Sequence, residues 1–260
     1  MPIPSPDVID EAGARTLVWD GCVNVRDLGG IPTEDGGVTR SGSVIRSDNV
    51  GALTDAGWRA VEDHGVTRIV DLRWPEEQAD DPPRTVDVEV VHVSVLGPKL
   101  DEALEYLRTL DAHVDAVEDI ADHYEFSYVE FLERNQDRFS RALAAVADAD
   151  GPVVIHCMGG KDRTGLVAAL LLRLAGVAPD DIGRDYALSA SNLAARTRSW
   201  LESSPNEEER RRREKLSQTP ATAMARVVSE IERRFGSVEG YLTGGGIQPD
   251  QIDRLRARLR

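Results

Sequence analysis

The feature that most constrains this chain is a short apolar segment followed by a loop with cysteine, glycine and arginine, and then by a longer apolar run. The apolar segment covers residues 153–155, Cys157 follows it, and Arg163 lies six positions further on. The run over residues 166–174 favours a helix. A buried strand, a tight loop and a helix in this order bring a thiol and a guanidinium to the same end of a sheet. The pattern therefore predicts an anion site built around a cysteine.

The spacing between the cysteine and the arginine is weak evidence by itself, and its context makes it specific. A Gly-Pro pair precedes the strand, a glycine pair permits a tight loop, and a helix begins within two residues of the arginine. The other cysteine of the chain, Cys22, lacks this context, because the sixth residue after it is Leu28. We therefore interpret Cys157 as a nucleophile, against the alternative of an inert buried cysteine.

The residue types of this loop point to phosphoryl transfer. A helix N-terminus with Lys161 and Arg163 nearby favours the thiolate form of Cys157, which can attack phosphorus and form a cysteinyl-phosphate that water later hydrolyses. Arg163 can hold two phosphoryl oxygens with its planar fork. We expect Thr164 to donate its hydroxyl to the sulfur and His156 to orient the loop. The predicted substrate-binding residues are Met158, Gly159, Gly160, Lys161, Thr164 and Gly165.

Residues 156–165 read His-Cys-Met-Gly-Gly-Lys-Asp-Arg-Thr-Gly. This run resembles the signature loop of cysteine-dependent protein tyrosine phosphatases, and more closely that of the bacterial members with an HCxxGKDRTG loop, which include mycobacterial ones. Other segments are similar to the same family in order, at residues 24–30, 46–48, 70–73, 185–189 and 236–242. The resemblance implies a phosphatase α/β fold, no metal or other cofactor, and activity on phosphotyrosine, sometimes on phosphoserine/threonine and phosphoinositides.

The general acid has two candidates, because an aspartic acid usually protonates the leaving group in cysteine phosphatases. Asp162 stands where the family's GKDR pattern has a functional aspartate, and it is our preferred candidate. Asp71, at the end of a predicted strand, could also face the pocket. The alternatives are that Asp162 only fixes the loop and that Asp71 pairs with Arg73 or Arg26. We expect Asp71 and Arg26 to support the site.

The pattern of strands and helices predicts an α/β fold with a central, mostly parallel sheet flanked by helices. Strands are predicted at residues 16–25, 43–46, 67–73, 86–95 and 153–155. We expect a mobile N-terminus at 1–14 and one phosphatase domain at 15–260. A helical insertion at about 100–147 is interpreted either as a lid over the pocket or as ordinary packing on the sheet. At residues 206–215, acids precede bases by about one helical turn, which indicates a solvated, internally paired helix.

The net charge of the chain limits the kinds of molecule that it is expected to bind. A formal net charge of −15 argues against nucleic-acid binding and against attraction to a membrane surface, so a phosphate site must be locally basic. Two cysteines exclude a framework of several disulfides. The sequence shows no signal-peptide pattern and no apolar run of membrane-spanning length. We expect a soluble, cytoplasmic protein. Export by a route that needs no signal peptide stays an alternative.

Three functions remain in competition at this point. The leading one is a metal-independent phosphomonoesterase that prefers phosphotyrosine, with phosphoserine/threonine and phosphoinositides as further substrates; its alternative form has phosphoinositides as the main substrate. The second keeps the anion loop but uses the cysteine for arsenate reduction or sulfur transfer, for which Cys22 is the one available second thiol. The third is a phosphoprotein-binding module that does not turn over its ligand. The oligomeric state cannot be predicted from these features.

Overall fold

The computed structural model describes residues 15–82, 84, 86–98 and 101–260, so the predicted mobile segment at 1–14 lies outside the described residues. Five strands form one sheet in the order β1-β2-β5-β3-β4. β1 runs antiparallel to β2, and the other neighbours are parallel, which confirms the predicted α/β class with a mostly parallel sheet. The strands are β1 (Arg26–Asp27), β2 (Val44–Ser47), β3 (Arg68–Asp71), β4 (Glu89–His92) and β5 (Val153–His156).

Helices cover the sheet and account for most of the described chain. The first six are α1 (Asp55–Asp63), α2 (Pro75–Asp80), α3 (Asp101–Ala116), α4 (Ile120–Arg134), α5 (Gln136–Ala147) and α6 (Asp162–Leu174). They are followed by α7 (Pro179–Asn192), α8 (Ala194–Glu202), α9 (Glu207–Ser217), α10 (Ala221–Phe235), α11 (Val238–Gly244) and α12 (Pro249–Leu259). None of the helices in this described part is long and apolar enough to cross a membrane.

The central strand β5 determines where polar groups collect. Its side chains alternate between two apolar clusters, with Val153 and Ile155 in one and Val154 in the other, so both faces of the sheet are buried. At its carboxyl end, His156 lies beside Ser47 of β2 and Asp71 of β3. Residues that follow these parallel strands therefore meet at one edge of the sheet, where ligands of open α/β sheets bind.

The structure contradicts two of the predicted strands: one is absent, and the other is shorter than predicted. Residues 16–25 form no strand; the chain turns at Gly21, whose φ is +98°, and only an isolated bridge joins Thr16 to Arg26. The predicted strand at 86–95 shrinks to Glu89–His92, because its partner β3 offers four residues for pairing. Val93 N still donates to Asp71 O at 2.9 Å, but the β-branched residues on either side of this pairing lie outside the ladder.

Helix boundaries follow the local signals more closely. Thr54 caps α1, with its side chain accepting a hydrogen bond from Gly57 N, and Gly65 ends the segment with a φ of +74°. The predicted helix after the cysteine loop begins at Asp162, four residues before the apolar run at 166–174. This early start places Asp162 and Arg163 in the first turn of α6 rather than in the loop.

The insertion at about 100–147 contains the three helices α3, α4 and α5. Phe139 and Leu143 of α5 are fully buried in the main core, which is ordinary packing on the sheet. In contrast, Tyr124 and Tyr128 of α4 extend their hydroxyl groups to residues of the cysteine loop and α6. One part of the insertion thus supports the core, and another part borders the site.

Helix α9 carries the predicted run of acids and bases. Arg210 pairs with Glu214 and Arg213 with Glu209, each one turn apart, which confirms an internally paired helix. The sequence did not predict that the last turn of this helix would contact the cysteine loop.

Candidate active site

The cysteine loop is held between the end of β5 and the start of α6. Cys157 follows the strand directly and is 2% exposed. Gly160 has a φ of +63°, and a Cβ atom there would lie 2.5 Å from Ser47 O and 2.6 Å from Asp48 N. At Gly159, the nearest atom to such a Cβ is 4.0 Å away. Gly160 is therefore the glycine that the loop requires.

The backbone of the loop is polarised. Its carbonyl oxygens accept hydrogen bonds from neighbouring elements: Met158 O from Asn49 N at 3.1 Å, Gly159 O from Asn24 Nδ2 at 3.0 Å, and Gly160 O from Arg46 Nη2 at 2.7 Å. The N–H groups of residues 158–163 donate no hydrogen bond within the described part of the chain. With the carbonyls engaged and the amides available at a helix N-terminus, the loop can bind an anion.

Three arginines, Arg46 among them, surround the buried carboxylate of Asp185. This shared partner holds Arg46 in place. Arg46 Nη1 lies 2.7 Å from Asp185 Oδ2, Arg26 Nε lies 3.1 Å from Oδ1, and Arg15 Nη1 lies 2.8 Å from Oδ1. Burial alone would raise the pKa of Asp185, but the arginines hold it well below its usual range. Burial lowers the pKa of Arg26 to about 9. Arg26, predicted as a supporting residue, acts on the loop through Asp185 and Arg46.

Arg163 is fixed by the segment that follows β3. Its Nη1 lies 2.5 Å from Glu77 Oε2 and its Nη2 lies 3.0 Å from Glu77 Oε1, and its Cζ lies 4.7 Å from the ring centre of Trp74. Burial opposes the charged form of Arg163, but the charges of Cys157 and then Glu77 raise its pKa above the usual value. The guanidinium is thus oriented, charged and electrostatically coupled to the cysteine.

The ammonium group of Lys161 makes hydrogen bonds to two neighbouring helices in this structure. Its Nζ donates to Tyr124 Oη at 2.7 Å and to Leu216 O, near the end of α9, at 2.6 Å. The ammonium also lies 4.6 Å from the ring centre of Tyr124. Burial lowers the pKa of Lys161, with Asp162 acting in the opposite direction. The lysine therefore ties α4 and α9 to the cysteine loop.

Asp162, the preferred general acid, has a carboxyl group about half exposed. The hydroxyl of Tyr128 donates to its Oδ1, and the hydroxyl of Tyr186 lies 2.9 Å from that of Tyr128. Lys161 Nζ lies 3.8 Å from the same Oδ1. Oδ2 of Asp162 makes no hydrogen bond to any residue that the structure describes.

Asp71 lies away from solvent and is paired with Arg73. Arg73 donates to both carboxylate oxygens, through Nε at 3.0 and 3.1 Å and through Nη2 at 2.8 Å. Burial would raise the pKa of Asp71, but the bonds from Arg73 lower it. His156 Nε2 lies 3.6 Å from Asp71 Oδ1, and burial lowers the pKa of His156 to about 4. The imidazole is therefore neutral and suited to orient the strand end.

Thr164 and Gly165 lie in the first turn of α6 and are buried. Thr164 Oγ1 has no hydrogen-bond partner among the described residues, so the expected contact with the Cys157 sulfur is not formed in this structure. A Cβ atom at Gly165 would lie 3.2 Å from Tyr186 Cδ2 and 3.5 Å from Arg46 Nη2. The glycine lets α6 approach both neighbours closely.

A cavity of about 510 Å³ opens beside the loop, between α3 and α4 on one side and α8 and α9 on the other. Its floor includes Met158, Gly159, Lys161 and Asp162. Its walls are mainly apolar and aromatic, with Leu107, Leu110, Phe131, Leu193, Trp200 and Leu216. An anion in the loop could therefore carry an apolar or aromatic group into this space.

Sequence reasoning missed several residues that the structure brings to the site. Glu77, Trp74, Tyr128 and Leu216 had no assigned role, and each reaches the loop or the start of α6 from a distant part of the chain. For Asn24, Arg46 and Asp185 a signal existed, because they lie in the segments similar to the phosphatase family. For the others the sequence offers no local signal.

Comparison with known proteins places these residues in context. A family model described as the tyrosine phosphatase family matches residues 17–260. A tyrosine-protein phosphatase of Nostoc commune is 29% identical over 233 residues, covering 83% of this chain and 73% of that protein. A triple specificity protein phosphatase of Mycobacterium tuberculosis is 29% identical over 272 residues, covering 92% and 97% respectively. A putative tyrosine-protein phosphatase of Cupriavidus necator is 31% identical over 185 residues, covering 70% and 66%.

Proposed function

This chain belongs to the tyrosine phosphatase family and is a phosphotyrosine hydrolase, and we propose that it works through a cysteinyl-phosphate intermediate on Cys157. The observation that supports this mechanism best is the polarised loop. Its carbonyls are bonded to neighbouring elements while the N–H groups of residues 158–163 are available to phosphoryl oxygens. A sulfur lies at the start of this loop, and a guanidinium lies in the helix turn at its end.

In the first step, the Cys157 thiolate attacks phosphorus, an S–P bond forms, and the bond from phosphorus to the tyrosyl oxygen breaks. Arg163 and the loop amides hold the equatorial oxygens as charge spreads over them. Asp162 gives a proton to the departing oxygen, because its carboxyl group borders the cavity while that of Asp71 is buried against Arg73.

In the second step, water attacks the cysteinyl-phosphate. The carboxylate left on Asp162 accepts a proton from this water, and the S–P bond breaks to return the thiolate and inorganic phosphate. The hydroxyl of Thr164, buried and without a partner among the described residues, is available to stabilise the leaving sulfur. Neutral His156 and ionised Asp71 keep the end of β5 in position.

Phosphotyrosine is the proposed main substrate, with phosphoserine/threonine and phosphoinositides as further classes to compare. Two basic side chains line the cavity and are the candidates for binding additional ring phosphates: Lys161, whose ammonium is bound to Tyr124 Oη and Leu216 O, and Arg196, which is paired with Asp48. The apolar walls of the cavity fit an aromatic leaving group. The relative from Mycobacterium tuberculosis is named a triple specificity protein phosphatase, so more than one substrate class belongs in the test.

The alternative of arsenate reduction has little support from the second cysteine. Cys22 Sγ donates to Asn49 O at 3.3 Å, and burial, followed by the charge of Asp48, raises the pKa of Cys22 to about 12. A thiol that stays protonated is a poor resolving group.

The decisive experiment measures kcat/KM on phosphotyrosine peptides, phosphoserine peptides and phosphoinositides side by side, with chelator present. We expect the phosphotyrosine peptide to be preferred, Cys157→Ser to abolish turnover, and vanadate to compete with substrate. Cys22→Ser provides the matched control and should retain turnover. Activity that survives Cys157→Ser would exclude the mechanism, and equal rates on phosphoinositides would exclude the proposed preference.

A further inference from the structure

A chain of hydroxyl groups leads from the protein interior to Asp162. Tyr186 of α7 is 1% exposed and Tyr128 of α4 is 2% exposed, and their hydroxyl oxygens are 2.9 Å apart. The Tyr128 hydroxyl also bonds Oδ1 of Asp162, whose side chain is 47% exposed. Asp162 thus joins two buried phenols to the open cavity beside the cysteine loop.

The direction of these hydrogen bonds follows from the number of protons. A phenol has one proton to donate, and a carboxylate can only accept. When Asp162 is ionised, Tyr128 donates to Oδ1 and must accept from Tyr186. Burial, and then the charge of Asp162, raises the pKa of Tyr128 well above its usual value, and the same two causes raise that of Tyr186. Both phenols therefore remain protonated over the working range of an enzyme.

We propose that Tyr128 is a positioning residue for the general acid: its bond to Oδ1 leaves Oδ2 of Asp162 to carry the transferred proton. This inference rests on the proposed role of Asp162. As the bond between phosphorus and the tyrosyl oxygen breaks, that oxygen keeps the electron pair and takes the proton from Oδ2. Asp162 becomes a carboxylate, and the hydrogen bond from Tyr128 becomes charge-assisted and stronger at that moment.

The surroundings of Asp162 make this assignment of the two oxygens specific. Oδ1 has the Tyr128 hydroxyl as its donor and Lys161 Nζ at 3.8 Å, whereas Oδ2 makes no hydrogen bond to a described residue. Without Tyr128, the proton could occupy either oxygen and the carboxyl group could rotate. Tyr128 therefore contributes orientation, and a misplaced catalytic group loses much of its effect.

The test is Tyr128→Phe, assayed with aryl phosphates from p-nitrophenyl phosphate to phenyl phosphate. A good leaving group needs little protonation, so kcat/KM for p-nitrophenyl phosphate should change little. For phenyl phosphate we expect a loss of about 10-fold, a fraction of the roughly 10²–10⁴ that acid–base catalysis supplies. The alkaline limb of the pH profile should move to higher pH, since the carboxylate loses a donor.

Two further variants separate positioning from packing. Asp162→Asn should steepen the dependence on the leaving group, and Tyr128→Phe in that background should cause no further loss, because Tyr128 acts through Asp162. Tyr124→Phe removes a hydroxyl one turn earlier in α4, where it bonds Lys161 and Leu216. Its leaving-group dependence should match that of the wild type, whatever its overall rate.

The outcomes distinguish the two proposals. A uniform loss for all leaving groups in Tyr128→Phe, or losses that add to those of Asp162→Asn, would overturn the positioning role alone. If Asp162→Asn itself left the leaving-group dependence unchanged, the general-acid assignment would fall and the positioning role with it. Should Tyr128→Phe not fold, Tyr128→Leu removes the same hydroxyl; an unchanged leaving-group dependence there overturns the proposal.

Discussion

Glu77 binds the guanidinium of Arg163 end-on, with Oε2 at 2.5 Å from Nη1 and Oε1 at 3.0 Å from Nη2. An arginine has five N–H donors, so three remain for other acceptors. Trp74 lies against the guanidinium as well, with its ring centre 4.7 Å from Cζ. The segment after β3 therefore orients Arg163, the proposed phosphoryl clamp, and the Glu77 carboxylate is an anion that would compete with phosphate for the same guanidinium.

The first prediction concerns Glu77→Gln. The change should lower kcat on phosphotyrosine peptides by about 10-fold, because an arginine that loses a bidentate partner spends less time in the productive orientation. Inhibition by inorganic phosphate should become stronger, because a competing negative charge is removed. Steady-state kinetics with phosphate as inhibitor measure both effects.

Glu76→Gln is the matched control for that experiment. It removes the same charge from the exposed neighbour in α2, and its kinetics should stay close to those of the wild type. Equal changes in both variants would show that long-range charge, and not the bond to Arg163, determines the result. A fall in phosphate affinity in Glu77→Gln would contradict the competition.

The second prediction compares two adjacent glycines. Gly160→Ala would bring a Cβ within 2.5 Å of Ser47 O and 2.6 Å of Asp48 N, and both are backbone atoms that cannot move aside cheaply. We expect a loss of at least about 2 kcal/mol in the free energy of unfolding, from strain at positive φ and from this overlap. In Gly159→Ala the new Cβ would lie 4.0 Å from its nearest neighbouring atom, so the free energy of unfolding should stay within about 0.5 kcal/mol of the wild-type value. Denaturant titration measures both, and similar losses would contradict the loop geometry.

The third prediction concerns the arginine cluster. Asp185→Asn keeps the shape of the side chain but leaves Arg15, Arg26 and Arg46 without their shared carboxylate. We expect a loss of about 3–5 kcal/mol in the free energy of unfolding, as when one partner of a buried ion pair is removed. Asp181→Asn in the same helix breaks a partly exposed pair with Arg184 and should cost no more than about 1 kcal/mol. Chemical denaturation of both variants tests the difference; a small effect at Asp185 would show that the arginines have other compensation.

The strand, loop and helix around Cys157 could be predicted because their signals are local in sequence. Strand, glycine pair, arginine and helix follow one another within a few residues, and each element has a signal of its own. The partners of the loop could not be predicted in this way. Glu77 is 86 positions from Arg163, Leu216 is 55 from Lys161, and Tyr128 is 34 from Asp162. Their roles depend on helix packing, which no short window of sequence contains.

The fold was predicted well in its class and less well in its strands. Alternating β-branched residues at 86–95 fit a strand along their whole length, but the ladder ends where β3 ends, so four residues form β4. Strand length is thus set by the neighbour. The helix signals were more reliable because caps and glycines act within one turn, as at Thr54 and Gly65.

The last prediction concerns pH and His156. Burial lowers the pKa of this imidazole from 6.5 to about 4, so the unfolded chain takes up a proton near pH 6.5 while the folded protein does not. The contribution of His156 to stability is therefore present above about pH 6.5 and is lost as the pH falls toward 4.

Between pH 7 and pH 5 the loss should be about 2 kcal/mol, since each pKa unit corresponds to about 1.4 kcal/mol. His156→Asn should flatten the pH dependence of the free energy of unfolding by about this amount. Denaturation series at several pH values provide the measurement, and an unchanged slope in His156→Asn would mean that the imidazole is protonated in the folded protein. Asp71 also loses its stabilising charge on acidification, but only as the pH falls below the usual carboxyl range, so it does not contribute in this window.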